Sequence, residues 1–220
     1  MIKENLLHIK KSIPENVTLV AVSKTKPVAD LQAAYDAGQR IFGENKIQEM
    51  ASKFDVLPKD IQWHMIGHLQ SNKVKYMAHF VDLIHGIDKF KTLKEINKQA
   101  KKHGRVINCL LQARIAKEET KFGLSFDEIE SILQSSDFKE LENIKIVGLM
   151  GMATFTDNKT QLKEEFSSLK DFFDRQQLKT ENTNCKLQTL SMGMSGDYNL
   201  AIENGSSMIR VGSSIFGNRN

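Results

Sequence analysis

Cysteine and proline are scarce in this chain of 220 residues, which contains 2 cysteines and 3 prolines. Two cysteines can build neither a disulfide framework nor a four-cysteine zinc site, which favours a reducing compartment, and we expect the cytoplasm. We expect Cys109 in the core of an apolar strand and Cys185 in an exposed loop. The sequence also lacks a run of about 18 apolar residues that would cross a bilayer, and residues 1–13 do not have the pattern of a signal peptide.

A concentration of charge of one sign is also missing. The net charge is +4, and aromatic residues make up 7% of the chain. A nucleic-acid-binding protein usually combines a basic face with aromatic residues. The densest basic stretch, residues 89–105, spaces its apolar residues as a helix does, which is typical of a solvated helix face. We therefore expect neither nucleic acid nor a membrane as a partner.

Eight short apolar segments recur along the chain and are separated by longer amphipathic segments. They are rich in Val, Ile and Leu and lack strict alternation, which is typical of strands buried on both faces. The segments are residues 18–24, 40–45, 61–67, 81–87, 106–113, 144–152, 187–193 and 208–212. Strands that alternate with helices in this number predict a single α/β domain over residues 1–220, a (β/α)8 TIM barrel. A doubly wound open sheet is the alternative.

Signals for the starts and ends of helices lie between these segments. Ser125 and Glu128 have the spacing of a capping box. Thr160 is in a position to cap a long helix that follows it. Asp88 begins the basic helix, and Gly104 ends it.

Polar and glycine residues cluster where the predicted strands end, which is the rim on which barrel enzymes place their active sites. Two of these clusters, residues 193–196 and 212–214, have the composition of phosphate-binding turns. Glycine permits close approach of the backbone, serine hydroxyls donate hydrogen bonds, and a helix N-terminus adds amides and positive potential. Barrels often bind phosphate after strands 7 and 8, which these clusters follow. Ordinary helix caps are the alternative.

Lys24 ends the first apolar segment. Burial at such a position lowers the pKa of an amine, and an amine that is deprotonated near neutral pH can form a Schiff base with a carbonyl ligand. The alternative is a lysine that extends along the rim to solvent. Lys26 is a second candidate for the reactive amine, although Pro27 places it in the turn.

Several segments together carry a resemblance to a known family. They are AVSKTKP (21–27), GENKIQE (43–49), WHMIGHLQSNK (63–73), KFG (121–123), GLM (148–150) and LSMGMSGDYNLAIENGSSMIRVGSSIFG (190–217). In this order and spacing they resemble the YggS/PROSC family of pyridoxal 5′-phosphate (PLP) homeostasis proteins over nearly the whole chain. His68 departs from the commonest family pattern, in which a proline or a small residue is frequent at that position.

The resemblance implies a single barrel like the N-terminal domain of alanine racemase, with PLP at its mouth. It implies a Schiff base on Lys24 and an arginine, Arg210, that faces the pyridine nitrogen. The full set of expected cofactor-binding residues is Lys24, Asn45, His64, Met152, Ser195, Arg210, Gly212 and Ser213. The serines and Gly212 would hold the phosphate. Asn45, His64 and Met152 would line the ring, with plain core packing as the alternative for the last two.

The resemblance also implies a function in intracellular PLP homeostasis, meaning storage, protection and delivery of the cofactor without robust turnover. Apo forms of PLP-dependent enzymes are the candidate recipients, and we expect a monomer. The alternative is a PLP enzyme such as an amino-acid racemase, which needs a base on each face of the substrate carbon. The racemase draws its second base, a tyrosine, from a further domain, which we do not expect in a chain of this length. A phosphosugar lyase with a lysine Schiff base is a third possibility.

A metal site is a weaker hypothesis for the same region. His64 and His68 are four residues apart, a spacing that places two side chains on one face only in a helix. Here the spacing spans a strand end and a turn. We therefore predict no metal site.

Overall fold

The computed structural model describes residues 1–117, 122–179 and 184–217. Its strands are all parallel and form a closed barrel in sequential order, which confirms the (β/α)8 prediction and excludes the open sheet. Closure is made by the first and last strands, which pair from Thr18 with Met208 to Ala21 with Val211. The strands are β1 (Thr18–Val22), β2 (Ile41–Glu44), β3 (Gln62–Met65), β4 (Leu83–Ile87), β5 (Ile107–Ala113), β6 (Ile144–Gly151), β7 (Cys185–Met194) and β8 (Met208–Val211).

Helices surround the barrel and bury their apolar faces against it. They are α1 (Ile2–Ser12), α2 (Val28–Asp36), α3 (Ile47–Val56), α4 (Phe90–Lys102), α5 (Phe126–Gln134), α6 (Ser136–Lys139), α7 (Lys159–Lys179), α8 (Tyr198–Glu203) and α9 (Ser213–Phe216). A 3-10 helix, Ser71–Tyr76, lies between β3 and β4. Within the described part of the chain, no helix combines the length and the apolarity that crossing a membrane requires.

The helix ends follow the sequence signals in part. The capping box before α5 is confirmed, since Ser125 Oγ accepts a hydrogen bond from Glu128 N and Ser125 N donates to Glu128 Oε2. The cap predicted at Thr160 is wrong. The helix α7 begins at Lys159. The side chain of Asn158, just before it, accepts a hydrogen bond of 3.2 Å from the amide of Gln161.

The two cysteines are both buried. Cys109 is fully buried in β5, as expected, but the exposed loop expected at Cys185 is wrong. Strand β7 begins at Cys185 itself, where pairing with Ile146 of β6 leaves the residue 3% exposed. Burial raises the pKa of the Cys185 thiol to about 12 and raises that of Cys109 as well, so neither is a reactive thiolate. Lys121, from the KFG segment, lies outside the described residues.

Alternation along the strands separates the barrel interior from the layer beneath the helices. A small apolar cluster fills the interior, and a much larger cluster packs between the strands and the helices. The interior cluster consists of Val20, Leu83, Leu110, Met150 and Met208. Leu19 and Ala21, which flank Val20 in β1, belong to the larger cluster. Because side chains alternate along a strand, positions 22 and 24 continue the interior side of β1.

Candidate functional site

A cavity of about 790 Å³ opens at the carboxyl ends of the strands, on the rim where the sequence places the polar clusters. Its walls come from the residues that end or follow β1, β2, β3, β5, β6, β7 and β8. Of the expected site residues, it is lined by Lys24, Asn45, Met152, Ser195, Arg210, Gly212 and Ser213. The fold therefore brings together at one cavity an amine, a guanidinium group and two Ser/Gly turns.

The position of Lys24 follows from the alternation in β1. Val20 lies in the barrel interior, Val22 lines the cavity, and Lys24, two residues further on, lines it too and is half-buried. Lys26 also lines the cavity, but its Nζ donates a hydrogen bond of 3.1 Å to the carbonyl oxygen of Phe216. That bond directs the Lys26 amine toward the end of α9.

Arg210 brings a buried positive charge to the cavity. The residue is 4% exposed, and its guanidinium group donates to Ser191 Oγ at 2.6 Å and to the carbonyl oxygen of Gly151 at 3.1 Å. Burial lowers the pKa of Arg210 to about 10, with Asp197 opposing the shift. The group is therefore a cation at neutral pH, and β6, β7 and β8 fix its orientation.

His64 does not line the cavity and instead belongs to a hydrogen-bonded chain that starts at Arg210. Ser191 Oγ lies 3.0 Å from His85 Nδ1, and His85 Nε2 lies 3.0 Å from His64 Nδ1. Burial lowers the pKa of His64 to about 3 and that of His85 well below its usual value, so both rings are neutral at neutral pH. Because Arg210 donates to Ser191 Oγ, the serine hydroxyl can donate to His85, which can donate to His64.

Two members of this chain, His85 and Ser191, are absent from the sequence-based set. Each is a polar residue inside an otherwise apolar strand segment, VDLIHGI and LQTLSMG. A buried polar side chain needs a hydrogen-bond partner, so a polar residue in a strand buried on both faces is a signal that could have revealed them. The identity of the partner depends on how the strands are arranged around the barrel.

The two Ser/Gly turns contact each other at one side of the cavity. Ser195 Oγ, in the turn after β7, accepts a hydrogen bond of 3.2 Å from the amide of Gly212, which follows β8. A Cβ at position 212 would lie 3.1 Å from the carbonyl oxygen of Val22, so the backbone there is already close to β1. Ser213 follows as the first residue of α9 and is exposed.

The outer rim of the cavity is formed by the loop between β6 and α7. Glu165 of α7 anchors this loop, because its carboxylate accepts hydrogen bonds of 2.7 Å from both Thr154 N and Thr154 Oγ1. Burial alone would raise the pKa of Glu165, but these bonds and one from Gln161 lower it. Phe155, next in the loop, is 93% exposed at the cavity mouth. The loop therefore forms part of the cavity mouth, where the Phe155 side chain faces water.

The two histidines considered for a metal site lie in different surroundings. His64 is buried against His85, whereas His68 lies at the mouth, where its ring stacks on Phe122 and its Nδ1 is 3.4 Å from Asp88 Oδ2. Across the part of the chain that the structure describes, no group of three or more His, Cys, Asp or Glu residues could hold a metal ion.

Sequence comparison relates the whole chain to one family. A profile of the family described as alanine racemase, N-terminal domain, matches residues 1–220. A protein of Aquifex aeolicus named pyridoxal phosphate homeostasis protein is 36% identical over 202 residues, which are 91% of this chain and 86% of that protein.

Structural comparison gives the same relationship. PipY of Synechococcus elongatus, in a structure with PLP bound, is 34% identical and superposes with a TM-score of 0.89 over 99% of this chain and 100% of that chain. An alanine racemase of Clostridium difficile is 15% identical and has a TM-score of 0.81 over 99% of this chain and 60% of that chain. At that identity the similarity shows the fold alone.

Proposed function

The chain belongs to the alanine racemase N-terminal domain family and, within it, to the pyridoxal phosphate homeostasis proteins, and we propose that it binds PLP and acts in intracellular PLP homeostasis. The observation that carries this proposal is that one cavity is lined by an amine, a buried guanidinium group and two adjoining Ser/Gly turns. These groups match the aldehyde, the ring nitrogen and the phosphate of the cofactor.

Lys24 is the residue we assign to the aldehyde end of PLP. Bound PLP would supply an aldehyde carbon that a lysine amine can attack, with water as the leaving product. Lys24 directly continues the interior side of β1 at the cavity wall, whereas Lys26 follows the turn at Thr25, whose φ is 65°. Lys24 is therefore the better placed of the two amines.

Ser195, Gly212 and Ser213 are the residues we assign to the phosphate. The Ser195–Gly212 hydrogen bond holds the turns after β7 and β8 side by side, as a two-turn phosphate site requires. The small size of Gly212, set close against Val22, allows a ligand to approach the backbone. Serine hydroxyls supply hydrogen-bond donors to an anion.

Arg210 is assigned to the pyridine nitrogen, with Asn45 and Met152 beside the ring. A cation beside this nitrogen disfavours its protonation, so the ring becomes a weaker acceptor of electrons than in enzymes that place an acid there. We assign to His64 an indirect role, because it reaches the cavity only through His85, Ser191 and Arg210.

The carrier function, without robust turnover, is the finer part of the proposal. The relatives are named as homeostasis proteins. Racemisation needs a second base, which in the racemase is a tyrosine, and among the described residues that line the cavity there is no tyrosine. Tyr35, for example, donates its hydroxyl to Asp60 at 2.7 Å on the surface. We propose that the protein holds PLP, protects it, and releases it through the open mouth to apo PLP-dependent enzymes, as a monomer in the cytoplasm.

The experiment that tests the proposal is reduction of the PLP-loaded protein with borohydride, followed by peptide mapping. We expect a yellow protein whose pyridoxyl label lies on Lys24. Lys24→Ala should lose the absorbance of the adduct, while the control Lys26→Arg, which retains a donor for Phe216, should keep it. A label on Lys26, or no label at all, would contradict the assignment.

A further inference from the structure

A buried ionic cluster lies beside the cavity, and the proposed function does not use it. The cluster consists of Glu44 at the end of β2 and Glu49 and Lys53 on α3. Lys53 Nζ lies 2.8 Å from Glu44 Oε1 and 2.8 Å from Glu49 Oε1. The side chains of Lys53 and Glu44 are 6% and 0% exposed.

The cluster binds the backbone immediately before Lys24. Lys53 Nζ donates a hydrogen bond of 2.8 Å to the carbonyl oxygen of Ser23. The Ser23 hydroxyl donates to Glu44 Oε1 at 2.6 Å. Ser23 is therefore held by its main chain and its side chain at once, and both bonds lead to the same lysine and glutamate pair.

The cluster also binds the backbone immediately after Lys24. Thr25 N donates a hydrogen bond of 2.6 Å to Glu49 Oε1. Thr25 has a φ of 65°, the left-handed region that a β-branched residue rarely adopts. Such a conformation persists only where the surroundings impose it, and the bond to Glu49 is one of those constraints. Lys24 thus lies between two residues fixed by one cluster.

A buried ion pair is an inefficient way to stabilise a fold. Removing two charges from water is costly, and a buried ion pair is often no better than an apolar pair of similar size. Burial raises the pKa of Glu44 against the opposing effect of Lys53 and Ser23. Its second oxygen, Oε2, is buried and has no hydrogen-bond partner among the described residues. What the cluster provides is the geometry of the turn.

We propose that Lys53, held by Glu44 and Glu49, is the positioning residue for Lys24, fixing the turn so that the Lys24 amine meets the aldehyde of PLP. The inference rests on the proposed function, because it takes Lys24 as the residue that binds the cofactor covalently. Its specific consequence is that loss of the cluster impairs the covalent step, in which the amine and the aldehyde form a C=N bond and release water. The fit of the phosphate and ring is left intact.

The test compares two ligands on the paired variant Glu44→Gln/Lys53→Met. Both charges are removed together, because Lys53→Met alone would leave a buried unpaired carboxylate and could unfold the protein. PLP reports the covalent step by its absorbance. Pyridoxine 5′-phosphate, an alcohol that cannot form the C=N bond, reports the fit of the phosphate and ring by calorimetry. A small misplacement of a reacting group slows a reaction by on the order of 100-fold, so we expect covalent binding of PLP to slow about 10- to 100-fold.

The affinity for the alcohol should stay within about twofold of wild type, which is a free-energy change of less than about 0.5 kcal/mol. A second variant, Glu49→Ala, removes the acceptor of Thr25 N and leaves Lys53 paired with Glu44, and it should slow the covalent step in the same direction. Lys46→Met, an exposed lysine just before α3, is the matched control and should behave as wild type.

The outcomes separate the positioning role from a general structural role. An equal loss for both ligands would overturn the inference, because it would mean that the cluster only supports the fold. An unchanged covalent rate in both variants would overturn it as well. If wild-type protein formed no coloured adduct on Lys24, the proposed function would fail, and this inference with it.

Discussion

At the scale of single residues, the neutral histidines behind Arg210 link the site to the pH dependence of stability. His64 and His85 are buried and hydrogen-bonded to each other, and burial is the main cause of the lowered pKa of both. Protonating either ring in the folded protein would add a positive charge to the chain that ends at the Arg210 guanidinium group. The hydrogen-bonded chain behind Arg210 therefore suits neutral rings.

We predict that acid destabilises the fold partly through His64. Its pKa is 6.5 when unperturbed and about 3 in the folded protein, so between these values the unfolded chain binds the additional proton. The contribution of neutral His64 to the free energy of unfolding is complete above pH 6.5. It decreases by up to about 1.4 kcal/mol per pH unit as the pH decreases toward 3. Urea denaturation between pH 7 and pH 4 measures this slope.

His64→Gln is the matched variant, because it keeps polar atoms and does not titrate in this range. The free energy of unfolding of this variant should fall less steeply with decreasing pH than that of wild type. The difference in slope should be up to about 1.4 kcal/mol per pH unit, the contribution of one proton. Carboxylates elsewhere contribute equally to both proteins and cancel in the comparison. Identical slopes for the two proteins would contradict the neutral state assigned to His64.

At the scale of elements, the phosphate site depends on two turns that approach each other after β7 and β8. Their contact is the hydrogen bond between Ser195 Oγ and Gly212 N. At Gly212 a Cβ would lie 3.1 Å from the Val22 carbonyl oxygen, so a larger residue would have to displace the turn from β1. At Gly196, also on the cavity wall, a Cβ would meet no atom within 4 Å.

We predict that PLP binds several orders of magnitude more tightly than pyridoxal, which lacks the phosphate. Charge-assisted hydrogen bonds are worth roughly 1.5–3 kcal/mol each, and pyridoxal loses all of those made to the phosphate. Gly212→Ala should reduce the preference for PLP by about tenfold or more, whereas Gly196→Ala should retain it. Titration of both aldehydes by absorbance measures the preference. Equal affinities in wild type would rule out these turns as the phosphate site.

The sequence predicts the elements better than the contacts between them. Apolar segments locate every strand to within a few residues, because most residues of a strand buried on both faces are apolar. The same rule fails at Cys185, because β7 starts at the end of residues 179–185, whose polar residues are typical of a loop. Lys53 is on an amphipathic helix, where a lysine ordinarily faces solvent, and its burial follows only from the packing of α3 beside the turn after β1.

At the scale of the whole molecule, the site has an inner wall of fixed groups and an outer rim that carries the exposed side chain of Phe155. Arg210 and its hydrogen-bonded chain form the inner wall, and the loop anchored by Glu165 forms the outer rim. The placement of seven of the eight expected residues at this cavity follows from the strand order, whereas His64 lies behind Arg210, Ser191 and His85 in the hydrogen-bonded chain.

We predict that the PLP-loaded protein does not turn over amino acids at enzymatic rates. Help from a positioned acid or base is typically worth about 10²–10⁴ in rate, and the site has no tyrosine among its described lining residues to act opposite Lys24. The measurement is exchange of the α-proton of L-alanine in deuterium oxide, with chiral analysis of the product. Fast exchange or racemisation would contradict the carrier function, and slow transfer of PLP to an apo-enzyme would support it.

The pairing of β1 with β8 also has a consequence for synthesis on the ribosome. The cavity wall needs Val22 and Lys24 from the beginning of the chain together with Arg210 and Gly212 from near its end. A nascent barrel that lacks β8 is an open sheet with two unpaired edges, and it does not enclose the cavity. Capture of a ligand at this cavity thus marks a chain in which β8 has left the exit tunnel and paired with β1.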